Sequence, residues 1–274
     1  MKRKVKLTDR RLFNNYLKIL GIINIFLSFF LIAIPNRFKI LVGVLLIPIL
    51  LLVVYIILWI RANIQNTITL NINNSTMIIK TGDIFEESEL KVIAFNEYFD
   101  TTVDNKIISE QSLNGKYIKL KVKDIKNLDD MIDATLKDKV VNTNNGRKYG
   151  KHNKYPLGTV VEHENFLLTA FTHFDDADMA YLCVGDYINF LFNFWNEIYA
   201  KYNGRSVSIP LLGSGITRFR TGNTNLGMSE QNLLELLIWS FKVSGVKLSY
   251  HSKISIVIDE STKDKINFLK LKEV

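Results

Sequence analysis

The stretch SVSIPLLGSGITRF, Ser206 to Phe219, decides how the larger part of this chain is read. An apolar strand runs to Pro210 and passes through Leu212 into Gly213-Ser214-Gly215. Without a Cβ, backbone there can approach a bound group, and successive amides can converge on phosphate oxygens. Ile216 and Thr217 continue the candidate binding loop, and Arg218 and Arg220 could add charge-assisted bonds to a diphosphate. A lone GxG is equally what a plain flexible turn looks like, so the pattern alone leaves both readings open. A second stretch, TGDIFEESELKVIAFNEYFD from Thr81 to Asp100, puts Asp83 and Ile84 after one strand and Asn96 after another. Asp83 could accept from an exocyclic amino group and Asn96 could bond a ribose hydroxyl; a turn aspartate and a turn asparagine are the simpler alternatives.

Around these stretches, short strands alternate with helical patterns. Thr67–Ile72 and Thr76–Lys80 read as strands, Val92–Phe95 as a buried strand and Tyr117–Val122 as a half-exposed one. Leu128–Leu136 has helical spacing, Asn142–Tyr155 is a polar loop, and Gly158–Val161 and Phe166–Phe171 are strands. Asp175 or Asp176 is expected to cap a long helix reaching about Tyr202, with Ala180, Val184, Ile188, Leu191, Trp195 and Ile198 as its core stripe. Cys183 falls in that helix as an inert small hydrophobe. Val207–Leu212 is a strand, Gly213–Met228 a loop, and Ser229 caps a helix ending near Gly245. Lys253–Ile258 is the last strand, and Lys263–Lys272 reads as helical. This order predicts an α/β fold, a three-layer α/β/α domain with a mixed sheet, whose ligand site lies beyond the carboxyl ends of the strands.

The first 61 residues are of another kind. They hold ten Lys/Arg and a single acid, Asp9, whereas residues 62–274 carry 25 basic and 26 acidic side chains. The net charge of +8 therefore sits beside apolar segments rather than on a folded basic face, which points to a membrane and away from nucleic acid. Ile40 to Ile60 is 21 residues without a charge, 17 of them Leu, Ile or Val, and at 1.5 Å per residue it covers roughly the 30 Å hydrocarbon thickness. Ile19 to Ile34 is a second, shorter apolar run broken by Asn24 and Ser28. No small-residue cleavage site follows it; the chain passes through Pro35 to Lys39 directly into the next run, as a transmembrane hairpin would rather than a signal peptide. The expected organisation is a basic tail at 1–18, spans at about 19–35 and 40–60, and a domain at 62–274. The basic residues before the first span and just after the second place both termini in the cytoplasm of a multi-pass inner-membrane protein. Tyr55 and Trp59 fall where amphipathic rings suit the lipid interface. One cysteine and four histidines leave no disulfide framework and little for a metal site, so none is assigned.

Taken together, the two motif stretches resemble a macro domain, the ADP-ribose-binding fold. Gly82-Asp83-Ile84 matches the family motif whose aspartate reads adenine, Asn96 matches the asparagine facing the distal ribose, and Pro210 to Ile216 matches the loop around the diphosphate. With two spans ahead of it, and with FNEYFDT, IISEQSLNGKY, YPLGT and PLLGSGITRF, the chain is similar to the membrane effectors of Thoeris anti-phage systems. That resemblance implies a receptor for an ADP-ribose derivative made from NAD by a TIR-domain partner. It also implies a homo-oligomer that damages the lipid bilayer and causes abortive infection, with no cofactor and no catalytic residues of its own. The alternative is a membrane-tethered ADP-ribose hydrolase using Asp100 or Asp104 as base. Hydrolytic macro domains usually carry a run of glycines after the asparagine, and here Asp100 to Gly115 holds one, Gly115.

Overall fold

The computed structural model describes residues 4–175, 177–221, 224–249 and 251–273. It divides into two compact units, one formed by the chain up to Asn66 with the tail from Asp264, the other by Thr67–Lys263.

In the first unit, Asp9 caps helix α1 (Arg10–Ala33) by accepting from Arg11 N. After Pro35, α2 (Asn36–Leu41) runs through one π turn, Val42–Leu46, into α3 (Ile47–Ile64). The turn has a local cause. Pro48 has no N–H to offer Val44 and its ring crowds that carbonyl; widening the preceding turn, so that Ile47 N–H reaches Val42 O, lets the helix continue. Arg10–Phe29 and Asn36–Ile64 are long and apolar enough to cross a membrane, and Ile22, Phe26, Phe29, Ile40 and Val44 lie exposed along them. The first helix starts at Arg10 rather than near Ile19, so half of the predicted basic tail is helical.

At the base of the hairpin the N-terminal segment folds back on α3. Asn63, fully buried, accepts from Val5 N at 3.0 Å and donates to Trp59 O at 2.9 Å, while Trp59 Nε1 donates to Val5 O at 2.9 Å. Tyr55 donates its hydroxyl to Leu7 O. The polar tips of both rings thus bond backbone. Leu269 packs with Val5, Leu12 and Ala62, Asn267 donates to Asp9, and Glu273 pairs with Arg11. The last residues, expected to close the C-terminal domain, belong with the hairpin instead.

Ten described strands of the second unit form one sheet. They are β1 (Thr67–Ile72), β2 (Ser75–Thr81), β3 (Leu90–Asn96), β6 (Val160–His163), β7 (Phe166–Phe174), β8 (Ala180–Leu182), β9 (Val207–Pro210), β10 (Arg218–Thr221), β11 (Thr224–Asn225) and β12 (Lys253–Ile258). A separate short hairpin joins β4 (Asn142–Thr143) to β5 (Asn153–Lys154) within the predicted polar loop. The main order is β1-β2-β12-β9-β3-β7-β8-β10-β11, with β6 on β7. Its centre, β2-β12-β9-β3-β7, is parallel. β1 is antiparallel to β2, β6 and β8 are antiparallel to β7, and β10 runs parallel to β8 and antiparallel to β11, so the sheet is mixed.

Helices α4 (Leu113–Lys121) and α5 (Ile125–Leu136) cover one face, packing Tyr117, Ile118, Leu128 and Ile132 against Ile93, Phe95, Leu168 and Ala170. Phe171, on the opposite side of β7, meets Tyr187 and Phe190 of α6 (Val184–Lys201). α7 (Glu230–Ser244) packs on α6, with Trp195 Nε1 donating to Ser240 Oγ at 2.9 Å. This is the expected three-layer α/β/α arrangement.

Several local expectations are corrected. Tyr117–Lys121 is helical, with Val122 its extended C-cap. Its alternation mimics a strand, but Ser112 Oγ accepts from Gly115 N at 3.0 Å and starts a helix that buries Tyr117 and Ile118 side by side and exposes Leu120. Asp175 does not cap the long helix; it accepts from Ala177 and Met179 amides in a loop, and Ala180 lies in a strand (Asp176 is outside the described residues). Cys183 is the N-cap of α6, its Sγ accepting from Asp186 N at 3.2 Å. The strand after Ser206 stops at Pro210, the loop from Gly213 contains β10 and β11, and Lys263–Lys272 yields two short 3-10 turns rather than a helix. Ser229 does cap α7, which ends at Gly245 with φ 70°.

Candidate functional site

The carboxyl ends of β2, β12, β9, β3 and β7 converge on one cavity of about 700 Å3. That is where an open α/β sheet places a ligand, and the size lies within the roughly 300–1,000 Å3 of small-molecule sites. Its walls come from the 82–85 turn, Asn96, the 107–116 segment and the 210–217 loop, with Val257, Asp259 and Glu260 after β12.

The 210–217 loop is built from fixed points. Tyr187 donates from the core to Leu212 O at 3.2 Å, and Ser214 Oγ donates to Leu211 O at 2.7 Å. Burial raises the pKa of the Tyr187 hydroxyl, which keeps it a donor. Gly213 adopts φ 90°, and a Cβ there would lie 3.1 Å from the Phe219 ring, so both backbone and packing require glycine. Gly215 differs, since a Cβ there would meet nothing within 4 Å. Its missing side chain leaves open space.

Nine of the ten sequence-predicted residues line this cavity: Asp83, Ile84, Asn96, Leu212, Gly213, Ser214, Gly215, Ile216 and Thr217. Arg218 does not. It opens β10 and borders a second cavity of about 330 Å3, which shares the glycine loop and is closed by Leu226, Met228 and Glu230. Arg220 is drawn off by Asp175 at 3.0 Å and lies over the Tyr181 ring.

The two polar anchors differ in what they have left to give. Asp83 is exposed, with Oδ1 accepting from Phe85 N at 2.9 Å; its second oxygen takes no part in that cap. Asn96 is buried and locally bonded: Nδ2 donates to Asp100 Oδ2 at 2.8 Å, and Oδ1 accepts from Tyr98 N at 3.0 Å and Asp100 N at 3.2 Å. Asp100, 1% exposed, is itself saturated. Arg147 grips it through two bonds of 3.0 and 2.7 Å, and Lys151 N adds one of 2.7 Å. Arg147 also bonds Asp178 at 2.9 Å and stacks over Tyr98, tying three loops together. Asp104 accepts from the Ile107 and Lys106 amides, and those bonds lower its pKa.

Close to this cluster, Glu97 pairs with His173 Nδ1 at 2.7 Å and Lys154 Nζ at 3.0 Å, while His173 Nε2 faces Asp186 at 3.5 Å. The Glu97 bond raises the His173 pKa, with burial opposing it. Sequence reasoning missed the 107–116 wall. Ser112-Leu113-Asn114-Gly115 reads as a helix start once Ser112 is taken as a cap, and that was the available signal.

Residues 77–259 match the family model for the macro domain of Thoeris protein ThsA. The chain is 44% identical over 227 residues to Thoeris protein ThsA of Bacillus amyloliquefaciens (strain Y2), an alignment spanning 81% of this chain and 75% of that protein. Among solved structures it resembles the Oceanobacillus iheyensis macrodomain with ADP, at 14% identity over 76% of this chain and 95% of that one, TM-score 0.49. A mutant of the same macrodomain gives 14% identity, 76% and 92% coverage, and TM-score 0.47.

Proposed function

The chain belongs to the Thoeris ThsA family, with an anti-phage role, and from that premise we propose that it is a membrane receptor-effector switched by an ADP-ribose derivative. One observation carries the reading: both motif stretches, distant in sequence, meet in a single cavity at the carboxyl edge of the sheet. In this reading the free oxygen of Asp83 accepts from the adenine amino group, and the amides of Gly215 to Thr217 receive the diphosphate across the open face of Gly215. A TIR-domain partner makes the signal from NAD. Binding then shifts the assembly of the transmembrane hairpins, which requires that the signal bind the assembled state more tightly than the free one. Two spans per chain cannot enclose a pore, so membrane disruption needs a homo-oligomer. The N-terminus and the sheet domain face the cytoplasm, as the basic flanks of the spans suggest.

The hydrolase alternative is less well supported. Asp100 is occupied by Arg147, Lys151 and Asn96, and Asp104, whose pKa is lowered by backbone amides, is a weakened base. The test is calorimetric titration of the full chain in detergent with ADP-ribose, followed by recovery of the nucleotide. A receptor binds and returns it unchanged, and Asp83→Ala and Gly215→Glu each abolish binding while the protein stays folded. Turnover of an ADP-ribosylated substrate supports the hydrolase, and a folded protein that binds nothing defeats both readings.

A further inference from the structure

The receptor reading needs a route from the cavity to the hairpin, because a ligand shifts an assembly only through an element that is arranged differently in its two states. The chain passes between its two compact units twice, at Asn66–Thr67 and at Lys263–Asp264. The two crossings are not alike. The first enters β1, an edge strand that pairs with β2 along its whole length and supplies nothing to the cavity wall. The second leaves β12, which is held between β2 and β9 and whose carboxyl end gives Val257, Asp259 and Glu260 to that wall.

Both ends of the second crossing are fixed. On the cavity side, Asp259 Oδ1 accepts from Ser261 N at 2.9 Å, Thr262 N donates to Asp259 O at 2.8 Å, and Glu260 pairs with Lys263 at 2.5 Å. On the hairpin side, Ile266 and Phe268 are fully buried, and Leu269 packs with Leu12 of α1 and Ala62 of α3, the two legs of the hairpin. Asn267 Nδ2 donates to Asp9 Oδ2 at 3.3 Å, while Oδ1 of the same carboxylate caps α1. Only Ser261, Thr262 and Lys263 separate the last residue of the cavity wall from the segment that holds both legs. So short and bonded a connection passes on a displacement that a flexible linker would absorb.

Resting on the receptor reading above, we propose that residues 264–273 are a restraining clasp on the hairpin, and that a ligand filling the cavity releases it through the 259–263 turn. The clasp is an arrangement of the single, unassembled chain, so part of the ligand's binding energy goes into undoing it. Reciprocity follows: whatever loosens the clasp beforehand tightens ligand binding, although Leu269 is no part of the cavity.

The probe is ADP-ribose, titrated calorimetrically against the full chain in detergent. Leu269→Ala should bind it about fivefold or more tightly than wild type, and the milder Asn267→Ala should move the same way by less. A short Gly-Ser insert between Lys263 and Asp264 unties the clasp from the cavity, so in its presence Leu269→Ala should make no difference to the affinity. Hydrogen exchange follows the signal in the forward direction. With ADP-ribose added, the Lys270 and Leu271 amides, bonded to Asn267 O and Phe268 O, should exchange faster in wild type and at an unchanged rate in the insert variant. Wild type that binds no ADP-ribose overturns the receptor reading and this inference with it. Wild type that binds overturns this inference alone if both tail variants keep its affinity, if exchange in the tail ignores the ligand, or if the Leu269→Ala effect survives the insert.

Discussion

Replacing Gly115 with alanine sets two known effects against each other. Helix propensity favours the change, since alanine in a helix is worth about 0.5–1 kcal/mol over glycine. Packing opposes it. A Cβ at 115 would lie 2.2 Å from Ser109 O, 3.0 Å from Ser109 C and 3.1 Å from Glu110 Cα, all backbone atoms. Reaching an ordinary carbon contact needs the turn and the helix to part by roughly 1 Å. That turn cannot move freely, because Ile107 and Ile108 just before it are buried in the core with Tyr117 and Ile118. Overpacking of this kind costs about 1–3 kcal/mol, and a 2.2 Å approach to backbone belongs in the upper half of that range, about 2–3, so the net is a loss of about 1–2.5 kcal/mol. For a unit of this size the melting temperature falls by roughly 2–10 °C. Gly185→Ala in α6 is the control, since its Cβ would meet nothing nearer than Cys183 Sγ at 3.6 Å. Propensity should act there unopposed and raise the melting temperature slightly. Thermal unfolding of both full-length variants reads the signs, and a Gly115→Ala protein stabilised as much as Gly185→Ala refutes the packing argument. Because Leu113, Asn114 and Lys116 of the same turn line the cavity, Gly115→Ala should also weaken ADP-ribose binding.

Arg147→Ala strands the buried carboxylate of Asp100 and should cost about 3–5 kcal/mol in urea unfolding, with Arg147→Lys recovering only part because a single ammonium cannot make the paired bonds. His173 is raised by its bond to Glu97, so the stability it adds is complete below its ordinary value of 6.5 and is lost as pH rises through the raised one. Burial would push Glu97 up from 4.5, but the bonds to His173 and Lys154 more than reverse this, so its contribution holds above 4.5 and is lost as pH falls through the lowered value; unfolding curves against pH should lose the upper slope in His173→Gln. Leu46, Leu50 and Val53 all lie exposed on the proposed second span, and changing the three to arginine costs roughly 9 kcal/mol against the roughly 5–10 its apolar residues supply. Reporter fusions should then find the C-terminal domain on the opposite side of the membrane, whereas one arginine alone should leave the topology unchanged.

Strands whose alternation agreed with a buried partner were legible. Thr67–Ile72 and Lys253–Ile258 stand where the pattern puts them because each pairs along its whole length. The misses came where a short local bond outweighed periodicity. Tyr117 to Val122 alternates as a strand would, yet one serine hydroxyl on Gly115 N fixes a helix and turns Leu120 out to solvent. Asp175 is a good capping residue whose carboxylate is taken by two loop amides, and the cap falls to Cys183, a residue type that rarely does it. The tail from Asp264 was assigned by sequence order alone, and no pattern within it announces that Asn267 and Leu269 meet Asp9 and Val5.

The site shows the same division more sharply. Residue type tells what a side chain is able to bond, and the fold decides what is left over: Asn96 and Asn114 are the same amide in the same cavity, one engaged at both ends and one with its oxygen unanswered. The glycines split in the same way. Gly213 is required by its own φ and by Phe219, so any side chain there damages the fold and the loop together. Gly215 is required by no contact among the described residues. A side chain at 215 should therefore leave stability within about 0.5 kcal/mol of wild type, as surface changes do, while filling the space the diphosphate would use. If Gly215→Glu unfolds the protein, the loop is structural and its open face is no binding surface. If it melts as wild type does and no longer binds ADP-ribose, then a glycine unexplained by folding has been explained by the ligand.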